Sequence, residues 1–153
     1  MGWQPTTQAA LEDAARAAIV AAFPLVVGRS YDPRPVPNET VPAFAIRVEH
    51  ENAEPAGLNT TARLISGTIR AVLWVKAPET DRLDLADLAD HIRAVILADS
   101  VLANLTGSLD PSDNETEIQT EAERFARIEC LFAAQWLESP TETPSILARF
   151  GLA

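Results

Sequence analysis

The chain has 153 residues, of which 47% are hydrophobic and 22% are charged, which suits one domain with a substantial core and excludes wholesale disorder. No apolar run approaches the roughly 18 residues of a membrane-spanning helix, and we expect no secretory signal, since a basic stretch followed by an apolar one is missing. The formal net charge of −10 argues against nucleic-acid binding, because an acidic surface repels phosphate.

The first predicted element is a helix over residues 6 to 23. Apolar residues recur at helical spacing from Leu11 onward, with charged residues on the other faces. Thr6 or Thr7 is suited to cap the start, and Pro24 ends the helix. The alanine-rich apolar face predicts close packing against a sheet.

A proline-rich stretch over residues 28 to 41 is predicted to be a long extended connection. Pro33, Pro35 and Pro37 disfavour both a helix and a central strand. Connections of this length in compact domains are usually functional or disordered, which makes this one a candidate contact segment.

Two β segments follow. Apolar residues alternate with others over 42 to 51, which predicts a strand with one buried face, and the acidic stretch 51 to 57 is predicted to be a turn. A longer β segment covers 60 to 76. Gly67 lies in its middle, where we favour one bent strand, although Ser66-Gly67 as a tight hairpin turn is the alternative.

The second half repeats the order of helix and strands. Residues 82 to 98 carry the clearest amphipathic helix pattern of the chain. The segment 107 to 111 is predicted to be a loop, and strands are predicted over 115 to 121 and 125 to 137, the latter with clean alternation.

The fold class is therefore predicted to be α+β, with a mostly antiparallel sheet flanked by two main helices in the order α-ββ-α-ββ. We expect a single domain over residues 1 to 137 and a flexible C-terminal tail over 138 to 153, which contains two prolines and a short apolar piece.

Motifs of catalysis are sparse. The chain has no glycine-rich phosphate loop, nucleophile elbow or paired-cysteine metal site. His50 lies beside Glu51 and near Glu54, a set that suits a divalent cation, but a solvated hairpin tip is the simpler interpretation. His91 follows Asp87 by one helical turn, and an ordinary ion pair is the simpler interpretation there. We predict no catalytic residue, no cofactor and no bound metal.

The remaining conspicuous residues have structural interpretations. Cys130, the single cysteine, lies in the alternating strand pattern and is predicted to be a buried core residue. Trp74 and Trp136 are predicted to pack in the core or against another subunit. Four aspartates spaced by three residues, from Asp81 to Asp90, predict an exposed helix face.

The order of elements, together with three segments, resembles a known family. The segments are RAVLWV (70–75), LADLADHIR (85–93) and ERFARIE (123–129). With the leading helix, the proline-rich excursion and the acidic tip, this pattern over residues 6 to 137 resembles the tail terminator, or tail completion, proteins of long-tailed bacteriophages. That family includes the minor tail protein U of phage lambda.

The resemblance implies a structural protein of the virion and carries over no catalytic motif. It implies a homo-oligomeric ring, typically of six subunits, that caps the tail tube, stops its polymerisation and provides the surface to which the head docks. The implied partners are further copies of the chain, the tail tube protein and the head-neck connector protein. DNA would pass through the ring without specific binding, no membrane is involved, and the location would be the head-proximal end of the tail after assembly in the host cytoplasm.

Two other functions stay open at this stage: a head-tail connector or other tail-ring component, and a small metal-dependent or nucleotide-handling enzyme that uses the two histidines. For the ring, the long proline loop and the acidic tip are the candidate contact surfaces, and simple solvated loops are the alternative. The candidate interface residues are Arg29, Tyr31, Arg34, Glu51, Asn52 and Glu54.

Overall fold

The computed structural model describes residues 5–28, 42–57, 62–76, 82–119, 125–138 and 150–151. These residues form an α+β domain, which confirms the predicted fold class. The helices and strands in chain order are α1 (Gln8–Ala22), β1 (Val27–Gly28), β2 (Ala43–Pro55), β3 (Arg63–Lys76), α2 (Arg82–Ala98), α3 (Ser100–Leu105), β4 (Ser108–Gln119) and β5 (Phe125–Glu138).

The five strands form one sheet in the order β1-β2-β3-β5-β4. The long strands β2, β3, β5 and β4 pair antiparallel, and the two-residue β1 adds a parallel step beside the start of β2. β3 lies at the centre, paired over its full length with β5. It is a single continuous strand through Gly67, so the prediction of one strand is confirmed and the hairpin alternative is wrong.

The three described helices pack on one face of the sheet, which we call the helix face. Their apolar stripes join the alternate strand residues in one core cluster, because successive strand side chains point to opposite sides. In α1 the hydroxyl of Thr7 accepts a hydrogen bond from the N–H of Ala10 at 3.1 Å, a standard N-cap. The largest buried side chains of the helix face are Trp136, Phe132, Leu11, Ile65 and Ile69.

Two predicted turns are strands in the structure. The acidic stretch 51 to 57 was expected to turn, but β2 runs to Pro55 and pairs with β3 as far as Arg63. The expected loop at 107 to 111 is the beginning of β4, and the short helix α3 precedes it. Both segments lie at the border of the sheet, where a strand tolerates polar residues and proline because one side needs no partner.

The two long border strands, β2 and β4, each carry features that limit backbone pairing along their outer edges. On β2, Val48 donates its N–H to Glu12 Oε1 at 3.1 Å and accepts from Gln8 Nε2 at 3.1 Å, so two α1 side chains occupy its backbone groups. Register shifts occur between His50 and Asn52 on β2 and between Pro111 and Asp113 on β4. Such bulges and prolines restrict the addition of a further strand.

The start of α1 is hydrogen-bonded to the end of β5. The N–H of Thr6, just before α1, donates to the carbonyl of Leu137 near the end of β5 at 2.7 Å. Among the described residues, no helix is long and apolar enough to cross a membrane.

Candidate interaction surface

The second face of the sheet, which we call the open face, has none of the three described helices packed on it. Near the β1 border it carries a small buried cluster of Ala43, Ala45, Val72 and Trp74, separate from the main core. Away from this cluster the alternate residues of β2, β3 and β5 are charged and polar side chains mixed with three half-buried leucines, Leu64, Leu131 and Leu137. The sequence prediction that Trp74 and Trp136 are packing residues is confirmed, with the two indoles on opposite faces of the sheet.

A charge network crosses three strands of the open face. Arg70, on the central strand, donates from Nη1 to Glu129 Oε1 at 2.6 Å and from Nε to Glu49 Oε1 at 3.0 Å. Arg47 Nε lies 3.4 Å from the same Glu49 oxygen, and Arg127 donates to Glu129 Oε2. The strand register explains the assembly, because Arg47 is paired with Arg70 across β2 and β3 and the neighbouring pairs bring the carboxylates between them.

Glu129 is the buried centre of this network, with a side chain only 2% exposed. Two arginines bracket it, which supplies the charged partners that a buried carboxylate needs. The hydrogen bond to Glu129 is the main reason that the pKa of the Arg70 guanidinium is raised. Arg127 Nε is buried without a hydrogen-bond partner among the described residues.

The hairpin formed by β2 and β3 carries three of the predicted interface residues. Glu51 lies in the bulge and accepts a hydrogen bond from Thr68 Oγ1 at 2.6 Å. Asn52 Nδ2 donates to Glu54 Oε1 at 3.4 Å. All three residues are exposed, so the structure places them together on one accessible hairpin arm.

The other three predicted interface residues, Arg29, Tyr31 and Arg34, lie outside the described residues. The same is true of most of the predicted C-terminal tail, residues 139 to 149 and 152 to 153. The interface prediction therefore stays a prediction, with half of its residues located.

Among the described residues, neither histidine forms an ion pair with a carboxylate. His50 stands edge-on to Trp136, with ring centroids 6.4 Å apart and an interplanar angle of 69°. His91 and Asp87 are both exposed on α2. In the part of the chain that the structure describes, no three His, Cys, Asp or Glu side chains are grouped to hold a metal ion.

Cys130 is a core residue, as predicted. Its thiol is fully buried under α2 and lies 3.6 Å from the carbonyl oxygen of Ala89. Burial raises the pKa of the thiol to about 11, so it stays protonated near neutral pH, whereas a nucleophilic cysteine is a thiolate.

Sequence reasoning missed the charge network. Arg127 and Glu129 occupy the positions between the apolar residues of β5, so their strand face is readable from the alternation. What the alternation does not give is the pairing register, which sets Arg70 of β3 and Glu49 of β2 beside them. A charged pair spaced by two within an otherwise apolar strand is the signal that was available.

The comparisons with known proteins are sparse. No protein-family model matches the chain, and no curated protein matches it. Among solved structures, the chain is similar to one in the "Virion of native gene transfer agent (GTA) particle", at 17% sequence identity. The match covers 85% of this chain and 93% of that one with a TM-score of 0.39, too low to establish a shared fold.

Proposed function

We propose that this chain is a structural protein of a phage-like particle and, within that class, a tail terminator that forms a ring at the head-proximal end of the tail tube. The supporting observation is the one-sided architecture: helices cover one sheet face, while the other carries a preorganised charge network and continues into an exposed hairpin arm. A sheet face that no described helix covers is a candidate surface for contact with another protein.

The sequence resemblance supplies the specific member of that class. The structure has the element order on which the resemblance rests, a leading helix, two strands, a helix and two strands, with β1 and α3 as short additions. The net charge of −10 is compatible with a ring that DNA passes without binding. The proposed partners are other copies of the chain, the tail tube protein and the head-neck connector protein.

The proposal assigns no chemistry to the chain. In the described residues no three His, Cys, Asp or Glu side chains are grouped to hold a metal ion, and the Cys130 thiol is buried and protonated near neutral pH. A metal-dependent enzyme would require tight binding of a divalent cation that His50→Ala abolishes. Calorimetric titration of the chain with Mn²⁺ and Zn²⁺ tests this alternative.

The direct test is capping of tail tubes. Purified tail tube protein is polymerised with and without the chain, and tube lengths are measured by electron microscopy. A terminator shortens the tubes and leaves a ring on one end. Tubes of unchanged length, with the chain bound instead to purified connector rings, would replace the terminator with a connector role.

The hairpin arm gives the residue-level version of this test. We expect Glu51→Lys with Glu54→Lys to weaken capping, because both carboxylates are exposed on the arm. Asp13→Lys is the matched control, since it changes an exposed carboxylate on α1. Equal capping by all three proteins would remove the arm from the tube contact.

A further inference from the structure

The apolar cluster on the open face is buried, although none of the described helices lies over it. Trp74 is 4% exposed, and its neighbours Ala43, Ala45 and Val72 are at most 1% exposed. Two alanines and a valine are too short to cover an indole that stands up from a sheet. Farther along the same face, Arg47 keeps 52% of its side chain exposed. This corner of the open face therefore requires a cover that the described elements do not supply.

Two connections in the described sheet join parallel strands, and such a connection has to cross one face of the sheet. β3 and β4 both pair antiparallel with β5, so they are parallel to each other, and α2 and α3 join them across the helix face. β1 and β2 pair in parallel, with Val27 beside Ala43 and Gly28 beside Phe44. Residues 29–41 join β1 to β2, and they lie outside the described residues.

The handedness of these two connections assigns them to opposite faces. Connections between parallel strands of one sheet are right-handed in about 98% of cases. Both connections advance along the sheet in the same direction, from the β1 border towards the β4 border, but β1 and β2 run antiparallel to β3 and β4. Reversing the strand direction while keeping the direction of advance reverses the hand on a given face. Because the connection from β3 to β4 uses the helix face, the connection from β1 to β2 is right-handed only on the open face.

We propose that residues 29–41 cross the open face and pack on the cluster of Ala43, Ala45, Val72 and Trp74 as a fixed part of the domain. The cluster spans the first residues of β2 and the last residues of β3, directly beside the border at which the connection has to pass. Thirteen extended residues reach about 40 Å, several times the spacing of neighbouring strands, so the length suffices. This packing does not depend on the tail-terminator function.

The composition of residues 29–41 suits this position. Pro33, Pro35 and Pro37 have no backbone N–H, so an extended chain with these prolines needs fewer hydrogen-bond partners. Proline-rich extended segments bind aromatic surfaces through their rings, and Tyr31 and Val36 add further apolar groups. The stretch therefore offers apolar contacts to Trp74 without requiring a strand partner.

The other long stretch outside the described residues, 139–149, is less well placed to cover the cluster. It follows Glu138, which pairs with Arg63 at the opposite end of β3 from Trp74. Eleven residues of strand separate Arg63 from Trp74, about 36 Å in an extended strand, which is nearly the whole reach of residues 139–149. The connection from β1 to β2 begins and ends beside the cluster instead.

The packing also defines the surface that remains for partners. With the cluster covered, the accessible part of the open face is the charge network, with Arg47 at its edge, and the hairpin arm, with Glu51 and Glu54. A partner then meets charged and polar side chains around the half-buried leucines, and the Trp74 cluster belongs to the interior of the domain.

The test measures the reactivity of a thiol placed in the cluster. Val72→Cys introduces the thiol in the full chain, where the native Cys130 is fully buried under α2. Ala133→Cys, at an exposed residue of the same face, is the matched control. Labelling rates with a thiol reagent are measured for both variants, first in the natural chain and then with residues 29–41 replaced by a glycine-serine linker of equal length.

The thiol at position 72 is expected to be protected in the natural chain. The linker is expected to speed its labelling about 100-fold or more, while position 133 changes little and Cys130 stays unreactive because the domain is still folded. A thiol at position 72 that reacts in the natural chain, or that stays protected beside the linker, overturns the proposal. So does protection that is lost when residues 139–149 are replaced instead, or on dilution, since the tail or a second copy would then be the cover.

A cross-link in the otherwise unchanged chain gives a second measurement, which decides the question even if Cys130 reacts in the linker variant and so reports a lost fold. A photoreactive benzophenone amino acid replaces Val36, and the cross-linked residues are identified by mass spectrometry. We expect adducts with residues 70–76 of β3. Adducts confined to α1, α2 or other segments would mean that the connection does not cross the open face, and would overturn the proposal.

Discussion

The helix face and the open face are built from the same strands yet differ in almost every property. On the helix face, alternate residues of β2, β3 and β5 are apolar and join the helices in one core. On the open face, the intervening residues of those strands make a small apolar cluster and a five-residue charge network. The helix face provides most of the folding free energy, because apolar burial dominates it.

The comparison shows that the two faces of a sheet covered on one side have different roles. A charge network is a poor source of stability, since desolvation of the ions offsets their attraction. Its five side chains are nevertheless held in fixed positions by mutual hydrogen bonds, which suits recognition better than stability. Substitutions on the two faces should therefore separate folding from association, and the expected effects are ordered below by size.

The largest effect is expected on the helix face. Trp136 is fully buried, and its ring closely covers Gly67, where an added Cβ would lie 2.6 Å from Trp136 Cη2. Trp136→Ala should lower the free energy of unfolding by about 3–5 kcal/mol in urea denaturation. Leu25→Ala, at an exposed apolar residue, is the control and should change it by less than about 0.5 kcal/mol. Similar losses in both variants would contradict the assignment of the core.

The next effect is at the centre of the charge network. Glu129→Ala leaves Arg70 and Arg127 without their shared carboxylate and should cost about 2–3 kcal/mol, less than a fully buried pair because the arginines are partly exposed. Glu49→Ala, at a carboxylate 30% exposed in the same network, should cost at most about 1 kcal/mol. The comparison uses denaturation at low and high salt. Equal costs would show that burial does not set the value of this network.

A third effect depends on pH. The pKa of Cys130 is raised to about 11 in the folded protein from 9.0 in the unfolded chain, so the folded state holds the proton to higher pH. The stabilisation is fully present below pH 9 and is lost as the pH rises towards 11, by at most about 1.4 kcal/mol per pH unit. The unfolding free energy of the wild type minus that of Cys130→Ala should fall over this window. A constant difference would indicate a thiol that ionises normally.

The smallest effect is at the β2 border. Gln8→Ala with Glu12→Ala removes both α1 hydrogen bonds to Val48 and should cost about 1 kcal/mol, since water replaces the lost partners. Thermal denaturation followed by circular dichroism measures this loss. The same double variant should become prone to aggregate, because it frees border backbone groups. A variant that stays as soluble as Asp13→Lys would show that the bulge and Pro55 protect the border alone.

Much of the fold was readable from the sequence. Alternation placed Ile128, Cys130 and Phe132 on the buried side of β5, and helical spacing placed Leu85 and Ile96 on the buried side of α2. Both patterns arise from one-sided burial, which leaves a period in the sequence. The sequence left Thr6 or Thr7 as the N-cap of α1, and the hydrogen bond from the N–H of Ala10 to the Thr7 hydroxyl identifies Thr7.

The errors fall where burial does not impose a period. Residues 51 to 55 of β2 and the start of β4 are mostly exposed, and only Ala53 and Leu109 pack against the core there, too few to leave a period that distinguishes a strand from a turn. The charge network was missed for a related reason, because it depends on which residues of three strands stand side by side. That register depends on pairing between distant segments, so no single segment of the sequence reveals it.

The hydrogen bond from Thr6 to Leu137 has a consequence for the connectivity of the chain. It holds the start of α1 against the end of β5, so the first and last elements of the α+β domain lie side by side. A circular permutant that joins these two positions with a short linker and opens in the hairpin between β2 and β3 should keep the same strand order. The architecture would then be independent of the order in which its parts are synthesised, and a fused reporter could be carried at the hairpin instead of at the natural termini.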